Sequence, residues 1–88
     1  MLEARLVLTN GAGLHARPAA MLVKCAARFK CQVSVAARSK SANAKSIISV
    51  LTLGAVKGDE VMITAEGADE EACIEAIKRL AAANFSEE

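Results

Sequence analysis

Leu2, Ala4, Leu6 and Leu8 alternate with Glu3, Arg5 and Val7, and a period of two predicts a strand. Thr9-Asn10-Gly11-Ala12-Gly13 follows with turn chemistry. Ala19, Leu22, Val23, Ala26 and Phe29 recur at helical spacing. They predict a first helix from about residue 17 to about residue 29. Pro18 sits in its first turn, where a missing N–H is tolerated. Cys31, Val33 and Val35 alternate with Gln32 and Ser34 as a second strand. Arg38-Ser39-Lys40 reads as a polar turn, and Ser41 to Ala44 as a short third strand. Ser46 before Ile47-Ile48-Ser49-Val50-Leu51, with Gly54 after, predicts a short capped helix.

Lys57-Gly58-Asp59 turns the chain into a fourth strand, in which Val61, Ile63 and Ala65 alternate with Met62, Thr64 and Glu66. Gly67-Ala68-Asp69 leads into a last helix with Asp69 as its cap. Glu70 and Glu71 stand at its positive end, Lys78 and Arg79 near its negative end. Cys73, Ala76, Ile77 and Leu80 form its inward face, and the tail from Asn84 is expected to fray. The order is β-α-β-β-α-β-α, an α+β pattern. Four strands with one apolar face need covering, and three helices on one side can cover them.

Composition narrows this picture. The 88 residues make one domain, spanning 1–88. Hydrophobic residues are 53% of the chain, which excludes disorder. Nineteen of them are alanine, against 20 Leu, Ile and Val together, so the core must rest on close-packed small residues. With two Phe and no Trp or Tyr, stacking on single-stranded nucleic acid has no platform. A net charge of +1 leaves no broad basic field for nucleic acid or anionic lipid. The longest apolar run, Ile47 to Val56, is broken by Ser49, Thr52 and Gly54 and is too short to span a bilayer. Residues 1–8 do not have the basic start and apolar core of a signal peptide.

Three cysteines, Cys25, Cys31 and Cys73, cannot all pair, and none forms C-x-x-C. With one histidine, no zinc cage is expected. A reduced cytoplasm is the simplest setting for the three thiols. Cys25 and Cys73 fit as small core residues, while Cys31 is open between packing and a lesser redox reading.

The lone histidine is the main chemical clue. Gly11-Ala12-Gly13-Leu14-His15-Ala16-Arg17-Pro18 places it in a loop at the mouth of the first helix. Helix starts present unpaired N–H groups and attract phosphate. A neutral imidazole keeps a lone pair for nucleophilic attack. Arg17 supplies a cation with forked donors for phosphoryl oxygens, and glycine lets backbone approach closely. A merely structural histidine is the competing reading. Yet a histidine on a glycine loop beside Arg-Pro has no packing purpose that Ser or Asn could not serve.

Gly13-Leu14-His15-Ala16-Arg17-Pro18-Ala19 closely resembles the active-site signature of the HPr family. These are the histidine-containing phosphocarriers of the bacterial phosphoenolpyruvate-dependent phosphotransferase system. Asn43 to Gly54 resembles the family's second signature, and Gly58-Asp59-Glu60-Val61 and Gly67 to Ala72 extend the match over essentially the whole chain. The resemblance implies an open-faced β-sandwich, a four-stranded antiparallel sheet with three helices on one face. It also implies a carrier rather than an enzyme, with no cofactor and no metal. Enzyme I would phosphorylate Nδ1 of His15, and His15 would pass the group to a IIA domain. Arg17 would steady it, with Gly13, Ala16 and Pro18 shaping the site. Ala16 stands where some relatives carry threonine, and alanine occurs in others.

Ser46 caps the second helix on the residues alone. The resemblance adds a regulatory site, phosphorylated by an HPr kinase/phosphorylase. A phosphate there brings about −1.5 to −2 charges. One short helix cannot bury Ile47, Ile48 and Leu51 together, so at least one is expected outside. The resemblance makes the three a docking patch for Enzyme I and IIA. Lys24, Arg28, Lys45 and Lys57 read as solvated surface charge first, and as added positive charge for acidic partners second. An exposed loop histidine in so small a domain suits transfer between two protein surfaces, each encounter about 1,200 Å² or less. A monomer suits that task.

Sugar uptake is the leading role, carried by Lys45-Ser46-Ile47 and Leu53-Gly54. The ending Asn84 to Glu88 is reminiscent of the nitrogen-regulatory branch instead. A non-catalytic regulatory or adaptor domain is the reading of a different class. Paralogues of that kind can lack the histidine, which this chain retains.

Overall fold

The computed structural model describes residues 1–9 and 13–85. Its elements are β1 (Leu2–Val7), α1 (Ala16–Ala27), β2 (Gln32–Ala37), β3 (Lys40–Asn43), α2 (Ile47–Leu51), β4 (Glu60–Glu66) and α3 (Glu70–Ala82). The order is the predicted β-α-β-β-α-β-α. The sheet runs β1-β4-β2-β3 with every pair antiparallel. Leu2 faces Ala65, and Val35 lies between Ile63 and Ala42. Alternation along the strands turns Ala4, Val33, Val35, Val61, Ile63 and Ala65 into the core. Glu3, Arg5, Gln32, Ser34 and Glu60 face solvent. The three helices cover the inner face, which gives an open-faced sandwich. No helix among the described residues is long and apolar enough to cross a membrane.

Small residues make the close packing possible. Ala19, Ala26, Ala44 and Ala65 are completely buried, among Leu22, Ile77, Val50 and Val35. Each of the larger side chains contributes about 1.5–3 kcal/mol by leaving water.

Several boundaries differ from expectation. Helix α1 stops at Ala27 with Arg28 as its cap, and Phe29 is half-buried beyond it. Strand β3 begins at Lys40, because the β2–β3 turn holds only Arg38 and Ser39, with φ of 52° and 67°. Two left-handed residues match the strand twist, as in the primed hairpin turns. The buried face of α3 includes Ile74, which the predicted stripe of Cys73, Ala76, Ile77 and Leu80 omitted. Ala76 and Leu80 are the half-buried flanks of a broader stripe.

Asp69 occupies the N-cap position of α3 but makes no side-chain cap bond. Its carboxylate instead accepts the N–H groups of Lys30 and Cys31, at 2.8 and 2.9 Å. Glu70 serves the helix start, accepting the Gly67 N–H at 3.0 Å and pairing with the Met1 amino group at 3.0 Å. These amides hold the Asp69 and Glu70 carboxyls below the usual carboxylate range.

The expected fraying at Asn84 does not hold for Asn84 and Phe85. Both adopt left-handed backbone (φ 58°), and Phe85 is buried with its N–H on the Leu80 carbonyl at 2.7 Å. A helix ending of this kind closes over an apolar contact. Thr9 donates to the Asn84 side-chain oxygen at 2.8 Å. The remainder of that tail, residues 86–88, lies outside the described residues.

Candidate functional site

His15 is the N-cap residue of α1, in extended backbone with φ −91° and ψ −161°. The first helical bond runs from the Ala19 N–H to the His15 carbonyl at 2.9 Å. The Ala16 and Arg17 amides precede that bond, and Pro18 has no N–H. The His15 side chain makes no cap bond and is exposed, as are Ala16 and Arg17. Pro18 and Leu14 are buried, anchoring both flanks of the site. The first turn carries no acidic residue. The site thus combines a positive helix end, two amides ahead of the first helical bond, an exposed imidazole and an exposed guanidinium, and such a set favours an anion.

Gly13 supports the site differently from the expected approach of backbone to a ligand. Its φ is +65°, and a Cβ there would lie 2.5 Å from the Ala55 carbonyl oxygen and 2.6 Å from the Val56 Cα. Glycine is required so that this loop can lie flat on the chain's own 55–56 peptide. The Leu14 N–H donates to the Ala55 carbonyl at 3.0 Å. Asn10, Gly11 and Ala12 of the predicted glycine loop lie outside the described residues.

Ser46 is the N-cap of α2, as expected. Its Oγ accepts the Ser49 N–H at 3.4 Å, and its carbonyl accepts the Val50 N–H at 3.0 Å. Of the proposed docking trio, only Ile48 stands outside, 67% exposed. Ile47 and Leu51 are half-buried and pack against the core. Val56, an apolar residue with no patterned signal in the sequence, is 48% exposed beside the Gly13 contact. The sequence marks Gly54 and Lys57-Gly58-Asp59 by turn chemistry, but only contacts across the fold set Ala55 and Val56 against Gly13.

Lys45 differs from its expected role as a surface charge. Its ammonium donates to the Phe29 carbonyl at 2.7 Å, closing the end of the α1 segment. Lys24, Arg28 and Lys57 are exposed. All three cysteines are free and buried, which suits the packing reading of each. Burial pushes the Cys73 thiol up to about 12, and it raises Cys25 and Cys31 as well.

Residues 2–83 match the family model described as the PTS HPr component phosphorylation site. The phosphocarrier protein HPr of Treponema pallidum is 43% identical over 79 residues, covering 90% of each chain. That of Xylella fastidiosa is 35% identical over 88 residues, covering 100% of this chain and 99% of its own. The crystal structure of HPr-C-His from Thermoanaerobacter tengcongensis superposes with a TM-score of 0.93 at 43% identity, over 100% of this chain and 99% of that one.

Proposed function

The chain belongs to the HPr family of phosphotransferase-system phosphocarriers, and we propose that His15 is the residue on which it carries the phosphoryl group. One observation supports this reading above the others. The only histidine of the chain is exposed at a helix start whose first amides stand ahead of the helical bonding.

In this reading a neutral imidazole nitrogen, Nδ1, attacks phosphorus of phosphorylated Enzyme I. The new N–P bond forms as the donor's bond to phosphorus breaks, and the donor leaves with that electron pair. The Arg17 guanidinium and the Ala16 and Arg17 amides stabilise the oxygens' charge. The reverse geometry hands the group to a IIA domain, for sugar uptake. Ile48 and Val56 flank the docking face, and phosphate on Ser46 weakens the encounter with Enzyme I by adding negative charge. The retained and exposed His15 favours carriage over a purely regulatory adaptor.

The test is incubation with phosphoenolpyruvate, magnesium and Enzyme I. One phosphoryl group is expected, labile in acid and stable in alkali, and absent in a folded His15→Ala variant. Labelling that survives in His15→Ala overturns the assignment.

A further inference from the structure

The 55–59 segment holds both ends of the site loop. On the β1 side, the Leu8 N–H donates to the Asp59 carbonyl at 3.0 Å and the Gly58 N–H to the Leu8 carbonyl at 2.8 Å. On the α1 side, the Leu14 N–H donates to the Ala55 carbonyl at 3.0 Å. The segment is itself braced by Asp59. Its Oδ2 accepts the Val56 N–H at 2.9 Å, while its own N–H donates to the Val56 carbonyl at 3.0 Å. The same carboxylate oxygen pairs with the Arg38 guanidinium at 3.1 Å, across from the β2–β3 turn.

Two of these bonds share one peptide unit. The Ala55 carbonyl and the Val56 N–H are the two poles of a single amide plane. A carboxylate on its N–H polarises that plane and strengthens the carbonyl as an acceptor for Leu14. Leu14 is the residue directly before His15, and the plane is the one on which Gly13 lies. We infer that Asp59 is a positioning residue for His15, acting through the Ala55–Val56 peptide and the Leu14 amide. The inference rests on the reading of His15 as the phosphoryl acceptor. Asp59 does not touch the phosphoryl group; it fixes the backbone from which the imidazole projects. Small displacements of a nucleophile lower a transfer rate steeply, by up to about a hundredfold for about 1 Å.

Three variants separate this role from plain structural support: Asp59→Ala, Asp59→Asn and Arg38→Gln. Phosphoryl transfer from phosphorylated Enzyme I is followed against carrier concentration, and amide resonances of Leu14 and Val56 are followed by NMR. Asp59→Ala is expected to lower kcat about tenfold with KM within about twofold, because positioning rather than docking is lost. Its Leu14 amide proton moves upfield together with that of Val56. Asp59→Asn, which keeps a neutral acceptor and the side-chain shape, falls between wild type and Asp59→Ala in both readouts. That variant also carries the test if Asp59→Ala fails to fold. Arg38→Gln leaves kcat within about twofold, since the Val56 bond survives.

A kcat for Asp59→Ala or Asp59→Asn equal to wild type, or a Leu14 amide that stays in place while Val56 shifts, overturns the inference. So does an Arg38→Gln loss as large as that of Asp59→Ala. Failure of the wild-type chain to accept phosphate at His15 defeats the underlying reading instead, and the Leu14 shift reports on the peptide link without reference to it.

Discussion

At the start of α2, Ser46 sits in extended backbone and its Oγ accepts the N–H of Ser49, the third helical residue. At the start of α1, His15 also sits in extended backbone, but the third helical residue is Pro18, which has no N–H to give. The serine start is closed by its own side chain. The histidine start is left open, with an exposed imidazole beside the amides of Ala16 and Arg17. One proline thus removes the donor that corresponds to the one Ser46 captures, while leaving the Ala16 and Arg17 amides that an incoming anion can use. The helix start proposed to carry phosphate is thus the one denied the cap bond that closes α2.

Substituting His15→Ser tests this most severely. It should abolish phosphoryl acceptance while stabilising by less than about 1 kcal/mol, because Pro18 lacks the N–H that Ser49 gives Ser46 and leaves the serine only the Arg17 N–H. Adding Pro18→Ala should create a cap of the α2 kind, worth about 1 kcal/mol relative to Pro18→Ala alone in urea unfolding. A gain of that size from His15→Ser by itself would break the comparison. Arg17→Ala comes next. Loss of one hydrogen bond to a charged group should slow transfer about ten- to a hundredfold, with little change in urea midpoint.

At the closed start the pattern reverses. Ser46→Ala should lower stability by about 1 kcal/mol while transfer from Enzyme I stays within about twofold of wild type. Ser46→Asp keeps an acceptor at the cap, so it should stay folded yet slow coupling to Enzyme I. An unaltered rate would remove Ser46 from the regulatory proposal.

The smallest expected effect concerns acid. Asp69, Glu70 and Asp59 are held below the usual carboxylate range chiefly by the N–H groups of Lys30, Gly67 and Val56. Their contribution is complete above the unfolded carboxylate pKa, about 4, and is lost as pH falls through the lower folded values. Denaturant unfolding should therefore show stability declining below about pH 4. Asp69→Asn should flatten that decline, and an unchanged acid limb would show that its amide bonds carry no pH dependence.

Much of the molecule was legible before folding because its signals are local. Period two marks each strand, and Ser46 marks the α2 start by its own chemistry. His15, Arg17 and Pro18 share one short segment, so their grouping at a helix mouth follows from chain order. The misses have the opposite character. Asp69 looks like a cap in sequence, but the Lys30 and Cys31 amides, distant in the chain, draw its carboxylate away. Lys45 looks like a surface charge until the Phe29 carbonyl claims it. Phe85 looks like part of a loose tail until the helix end turns it inward.

The order of amino acids alone determined the strands and helices, their sequence of appearance, and a histidine placed where a helix begins. Those features depend on neighbours within a few residues, and a one-dimensional pattern encodes such relations directly. Only the tertiary structure decided that Gly13 lies against Ala55 and Val56, that Asp59 braces the same peptide, and that Ile48 faces outward while Ile47 and Leu51 turn in. Those facts depend on which distant surfaces pack together, and packing is settled by shape and hydrogen bonding across the whole fold.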